Sequence, residues 1–215
     1  MEDLRYFGRY VRFVTDSRDY GGALVGADNI IGDNYEIEFI TEEGVQFAQL
    51  KNRFGAIVGR LDASDSRQVG ICRARGWTIR ALLSFVAFTE HPEPGFYWGE
   101  VALICNDKRY DEVFDVFAER VATELGKAVR PDVALGSQGV DKVIEAKGQW
   151  LPNTRTDYPK LEAGSVFMKR RRRFSEGFIE AGRAGNKGCY AVSVLFLITV
   201  AAAVFFGVAK LIGLV

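Results

Sequence analysis

The chain has 215 residues, 48% apolar and 26% charged, ordinary proportions for a folded protein that exclude wholesale disorder. Its 28 Lys and Arg balance 28 Asp and Glu, yet residues 169–215 hold eight basic and two acidic side chains, so the zero joins a +6 stem to a −6 remainder. One histidine, His91, and three dispersed cysteines, Cys72, Cys105 and Cys189, exclude a Cys/His zinc site and a disulfide framework.

Over the first 30 residues, Leu4, Phe7, Val11 and Val14 fit a helix and Tyr10 to Thr15 fits a strand, so one element of either kind is expected. Gly21 to Gly26 lacks the lysine of a phosphate loop and the strand-turn-helix setting of a dinucleotide fingerprint, and reads as a loop. Tyr35 to Phe39 alternates apolar and acidic residues as a half-buried strand does, with a return strand over Val45 to Lys51 and a third over Ala56 to Leu61. Asp62 or Ser64 caps a helix running to about Ala74, and Gly76 stops it. The spacing then predicts a strand over Thr78 to Phe88, with Ile79, Ala81, Leu83, Phe85 and Ala87 on one face, a turn at His91 to Gly95, and a partner strand over Phe96 to Cys105. Phe114, Phe117, Val121 and Leu125 form a helical stripe within Asp107 to Lys127, and a shorter helix follows over Ser137 to Lys147. The expected class is α+β: a small antiparallel barrel-like domain over residues 1–150 with appended helices, followed by one C-terminal transmembrane helix.

Phe47-Ala48-Gln49-Leu50, Gly55-Ala56-Ile57-Val58-Gly59-Arg60-Leu61, the short helix, Gly76-Trp77 and Ala81-Leu82-Leu83 together resemble a HIRAN domain over about residues 35–106. The resemblance implies a small barrel and, from the family's association with helicase-like proteins, binding of single-stranded DNA ends. The family's acidic, asparagine-rich phrase has no counterpart between Thr41 and Ala48, so no DNA-contacting residue carries over. Charge argues the other way as well, because phosphate neutralisation needs clustered Lys and Arg and residues 1–168 carry −6. Tyr97 and Trp98 are the candidates for a ligand groove, as rings on which bases stack; the competing reading makes them ordinary strand aromatics.

Residues 151–188 read as a basic juxtamembrane linker, with Lys169, Arg170, Arg171, Arg172, Arg173, Arg183 and Lys187 flanking the membrane and able to attract anionic lipid headgroups. Cys189 to Ala209 is 21 residues without a charge, about the length needed to cross the hydrocarbon of a bilayer as a helix. Within it, Ala203 and Gly207 form a small-x-x-x-small pair that suits close approach of a second copy in a weak homodimer. The flanking cations place residues 1–188 in the cytoplasm and residues 210–215 on the far side.

No catalytic, cofactor-binding or metal-ligating set emerges. With one histidine in a proline-flanked turn, the leading expectation is a tail-anchored interaction module whose protein partner is unknown. A nucleic-acid-end binder at the membrane and a membrane-bound hydrolase with paired carboxylates are the alternatives. The topology has a direct check: a reporter fused after Val215 will register the non-cytoplasmic side, and a cytoplasmic signal overturns the orientation.

Overall fold

A computed structural model describes residues 5–15, 18–172 and 198–199. The chain divides into two compact units, Met1–Arg172 and Arg173–Val215; of the second, Ile198 and Thr199 are described, both helical. The first unit runs β1 (Tyr6–Val14), α1 (Arg18–Val25), β2 (Asn34–Glu42), β3 (Val45–Lys51), β4 (Ile57–Leu61), α2 (Ala63–Ala74), β5 (Thr78–Thr89), β6 (Phe96–Asn106), α3 (Asp111–Gly126), α4 (Ser137–Glu145) and β7 (Ser165–Lys169).

Hydrogen-bonded neighbours follow the order β2-β3-β4-β1-β6-β5, and β5 returns to β2 through Asn34↔Leu82 and Tyr35↔Ala81. Six antiparallel strands therefore close into a barrel, the expected α+β class. A barrel this small has room inside for side chains alone. Val11, Phe13, Tyr35, Leu50, Leu61, Leu83 and Val101 are all buried there, and Phe13 meets Tyr35 edge to face at 6.4 Å. Burial pushes the Tyr35 hydroxyl well above its ordinary pKa, with Asp33 adding to the rise. α3 lies on the outer face of β5 and β6, and its Phe114 stacks on Tyr6 at 5.0 Å.

Three expectations change. The first 30 residues form two elements, because β1 pairs along its whole length with β6, from Tyr6↔Asn106 to Val14↔Trp98. The glycine-rich stretch expected as a loop is helical: Gly21 lets α1 sit directly on β6, where a Cβ would lie 2.1 Å from the Tyr97 ring. That close packing offsets the weak intrinsic helix preference of glycine.

The third change is on β5. Ile79, Ala81 and Leu83 face the interior as expected, but the ladder to β6 steps from Leu83↔Val101 to Phe85↔Glu100 and leaves Ser84 extra. A bulge of one residue reverses the alternation. Phe85 and Ala87 accordingly point outward, into a cluster with Trp98 covered by Tyr158, Leu161 and Phe167. Phe85 meets Trp98, Tyr158 and Phe167 edge to face at 5.4, 5.7 and 5.3 Å.

This cluster explains why the first unit does not end near residue 150. Residues 151–172, read from the sequence as part of a linker, fold back over it and add β7 outside the ring, paired to β5 through Ala87↔Phe167 and Thr89↔Ser165. Arg130 fastens the return. Its guanidinium is ion-paired with Glu100, donates to the Asp157 carbonyl at 2.9 Å, and lies 4.1 Å from the Tyr10 ring centre and 5.0 Å from that of Tyr158. Only 2% of the Arg130 side chain and 16% of the Glu100 side chain reach solvent. Removing one partner of a buried pair strands the other charge, so Arg130→Met will lower unfolding stability in urea by about 3 kcal/mol. Arg130→Met combined with Glu100→Gln will recover part of that loss.

Candidate functional site

A concavity lies between α2 and the hairpin joining β2 to β3. Asp62 starts the helix, its Oδ1 accepting the Asp65 amide at 2.7 Å, and Gly76, with φ of +72°, lets the chain turn away after it. Ser66 ties the inner face down, accepting the Ala48 amide at 2.8 Å. Gly70 faces the hairpin at ordinary contact distance, a Cβ there standing 3.7 Å from both Gln46 Oε1 and Phe39.

What remains open is a groove of about 880 Å³ lined by Val45 and Gln46 on one side and by Ser64, Arg67, Ile71 and Arg73 on the other. Val45 and Ile71 are 44% and 38% exposed, large apolar side chains held at its rim. The Arg73 guanidinium lies 3.8 Å above the Phe39 ring and is shared with a second hollow of about 350 Å³ beside Tyr35, Ile37, Asn52 and Ile79. No carboxylate lines the groove. The nearby acids Glu38 and Glu42 are ion-paired with Lys51 and Arg60. The groove thus joins an apolar rim to arginine walls.

The residues singled out from sequence lie elsewhere. Trp98 is buried, its Nε1 donates to Thr89 Oγ1 at 2.9 Å, and Arg12 stacks on it at 4.1 Å. Tyr97 is wedged between Gly21 of α1 and Phe88, whose ring centre is 4.9 Å away. Both rings are packing groups, and neither lines the groove. His91 is exposed in the β5–β6 turn. Asp111 and Asp115 do converge, but on the buried Arg80, with Asp115 Oδ1 2.6 Å from its Nη2, which clamps the start of α3 to the barrel. Among the described residues no group of three or more His, Cys, Asp or Glu side chains could hold a metal ion.

The basic run divides. Lys169 is buried at the end of β7, donating to the carbonyls of Gly26 at 2.9 Å and Asn29 at 2.5 Å. Arg172 Nε donates to the Ile31 carbonyl at 2.8 Å. Arg170 and Arg171 are exposed, the former 4.9 Å from the Phe167 ring centre. Arg173, Arg183, Lys187, Ala203 and Gly207 lie outside the described residues, as does residue range 189–209 apart from Ile198 and Thr199. Among the described residues no helix is long and apolar enough to cross a membrane.

Comparison with known proteins adds no relative: no family model, no curated protein and no solved structure matches this chain.

Arg67, Ile71 and Arg73 were missed because an isolated α2 reads as a plain surface helix. The sole hint is Ile71 among polar neighbours on its exposed face. A titratable group on α2, Asp65, offers a test of how the helix packs on β1. Burial, then the neighbouring Asp62, raise the pKa of Asp65, and Arg9 at 3.4 Å opposes them. A carboxyl whose folded pKa lies above its unfolded value opposes folding once pH rises through the folded pKa. Asp65→Asn will therefore raise the melting temperature at pH 7, and the difference from the wild type will close as pH falls below 4.

Proposed function

We propose that this chain is a membrane-tethered cytoplasmic interaction module, anchored by residues 189–209, that holds a short acidic segment of a partner protein in the groove between α2 and the β2–β3 hairpin. The observation that carries the reading is the groove's lining: Arg67 and Arg73 beside exposed Val45 and Ile71, with no carboxylate among the lining side chains. Opposite charges set register and encounter rate, and apolar anchors supply the affinity. The tether rests on the uncharged run and its basic flank, with Arg170 and Arg171 available to anionic headgroups.

A second reading, binding of a nucleic-acid end by a HIRAN-like barrel, draws on the ring stacked by arginine at the groove, Phe39 under Arg73 at 3.8 Å; the Phe47–Arg60 stack lies on the opposite face of the hairpin. The acidic balance of residues 1–168 favours the first.

The full chain in nanodiscs separates the two. A fluorescein-labelled peptide of alternating Glu and Leu will bind saturably, and its Lys and Leu counterpart will not. Arg67→Glu will weaken the acidic peptide by about tenfold, the equivalent of one close charge pair worth about 1.4 kcal/mol. Salt-sensitive binding of a 3′-ended oligothymidine with no binding of the acidic peptide overturns this assignment in favour of the second.

A further inference from the structure

Cys72 and Cys105 are 33 positions apart in the sequence, and the fold brings them together. Cys72 is in the last turn of α2, and Cys105 is next to last in β6. Both are fully buried in one small cluster with Trp77, against which Phe7 and Ile79 pack. Each backbone is held. The Cys72 carbonyl accepts the Trp77 amide at 3.1 Å, and Cys105 is paired across the sheet with Phe7 on one side and Ile79 on the other.

The two thiols share this one buried cluster, so each lies in the other's immediate surroundings. Their surroundings are unequal: the neighbouring Cys105, with Arg75 helping, draws Cys72 below its ordinary pKa against the effect of burial, and Cys72 together with burial pushes Cys105 well above. Cys72 stands in the last turn of α2, where the helix opens most easily, so it is the sulfur an oxidant meets first, and Cys105 beside it in the cluster resolves what Cys72 forms.

We propose that Cys72 and Cys105 are a redox modification site, closing into a reversible disulfide when the protein meets hydrogen peroxide. The Cys72 thiolate attacks one peroxide oxygen and breaks the O–O bond. Cys72 becomes a sulfenic acid, and the departing hydroxide leaves as water with the proton Cys72 gave up. The Cys105 sulfur then attacks the sulfenic sulfur, and the expelled hydroxide takes the Cys105 proton as a second water. Two thiols lose two electrons together, and one peroxide becomes two waters. Access comes from the end of α2, where Arg73, Ala74 and Arg75 are exposed and the helix stops at Gly76; a terminal turn of this kind opens at a small fraction of the global unfolding cost. The dithiol pool of a reducing compartment reverses the bond.

The bond joins α2 to β6 covalently at the residue between Ile71 and Arg73, so it fixes the groove wall that they form. That consequence rests on the groove reading; the disulfide itself does not.

The test uses the full chain in nanodiscs with Cys189→Ser, treated with peroxide, quenched with an alkylating agent and digested with trypsin. The expected product links residues 68–73 to residues 81–108, two hydrogen masses below the sum of the two peptides. It reverts with dithiothreitol and is lost in Cys72→Ala and in Cys105→Ala. Two results overturn the proposal: both thiols still alkylated after peroxide and unfolding, or oxidation to sulfinic or sulfonic acid with no linked peptide. Because the readout is a mass on the wild-type pair, it is independent of whether the variants fold. It is equally independent of whether the acidic peptide binds.

Discussion

The first unit turns on the two edges of β5. One edge pairs with β6 throughout; the other closes the barrel on β2 at Ala81 and Leu82, then accepts β7 from Val86 onward. Ser84 lies between these two jobs. Up to Leu83 the strand supplies the interior, and after the bulge its large side chains leave it. Were the alternation unbroken, Phe85 would compete with Phe13 and Gly99 for space that is already filled: a Cβ on Gly99 would stand 2.9 Å from the Phe13 ring. Turned outward, Phe85 and Trp98 need cover instead, and residues 151–172 supply it. The bulge therefore fixes both the capacity of the barrel and the length of chain that the unit requires.

That dependence gives the buried cations their roles. Arg130 joins β6 to the returning segment through Glu100 and the Asp157 carbonyl, while Lys169 and Arg172 tie its end to carbonyls of the loop between α1 and β2. A buried charge is tolerated when it is paired or hydrogen-bonded; carbonyl groups at the chain reversal meet most of these donors, and among the described residues the Arg130 Nε is left without a hydrogen-bond partner. Two residues of a run that reads as a membrane flank are thus internal to the fold. The cations Arg170 and Arg171, whose side chains alternate away from those contacts, are left for any lipid surface.

Much of this was legible in the sequence where local rules and tertiary demands agree. Asp62 and Gly76 bracket α2, and the alternation of Tyr35 to Phe39 marks β2, because capping and period-two burial are short-range effects. Gly21 was illegible for the opposite reason: its helix exists because the Tyr97 ring admits no Cβ, a fact about a residue 76 positions away. Ser84 carries no sign of a bulge, and nothing in Tyr158 or Phe167 announces Phe85 as their partner. The groove was hidden in the same way. Tyr97 and Trp98 are the conspicuous aromatics, but conspicuous rings in a central strand are the ones a core consumes. Arg67 and Ile71 matter through what stands opposite them, Val45 and Gln46 on the hairpin, and no spacing rule relates the two.

The charge balance looks different once the partners are known. Residues 1–168 carry −6, yet the groove has Arg67 and Arg73 and no acid among its lining residues. A potential of this kind is local. At physiological ionic strength exposed charges lose influence beyond about 8 Å, so on the proposed reading a ligand in the groove is governed by Arg67 and Arg73 and by the acids that adjoin its lining, Glu43 and Asp62. A long polyanion would have to run onward over acidic surface, releasing few counterions for each phosphate that it adds. On the proposed reading distance does the sorting: a short acidic chain would gain from the groove, and less with every residue by which it outgrew it.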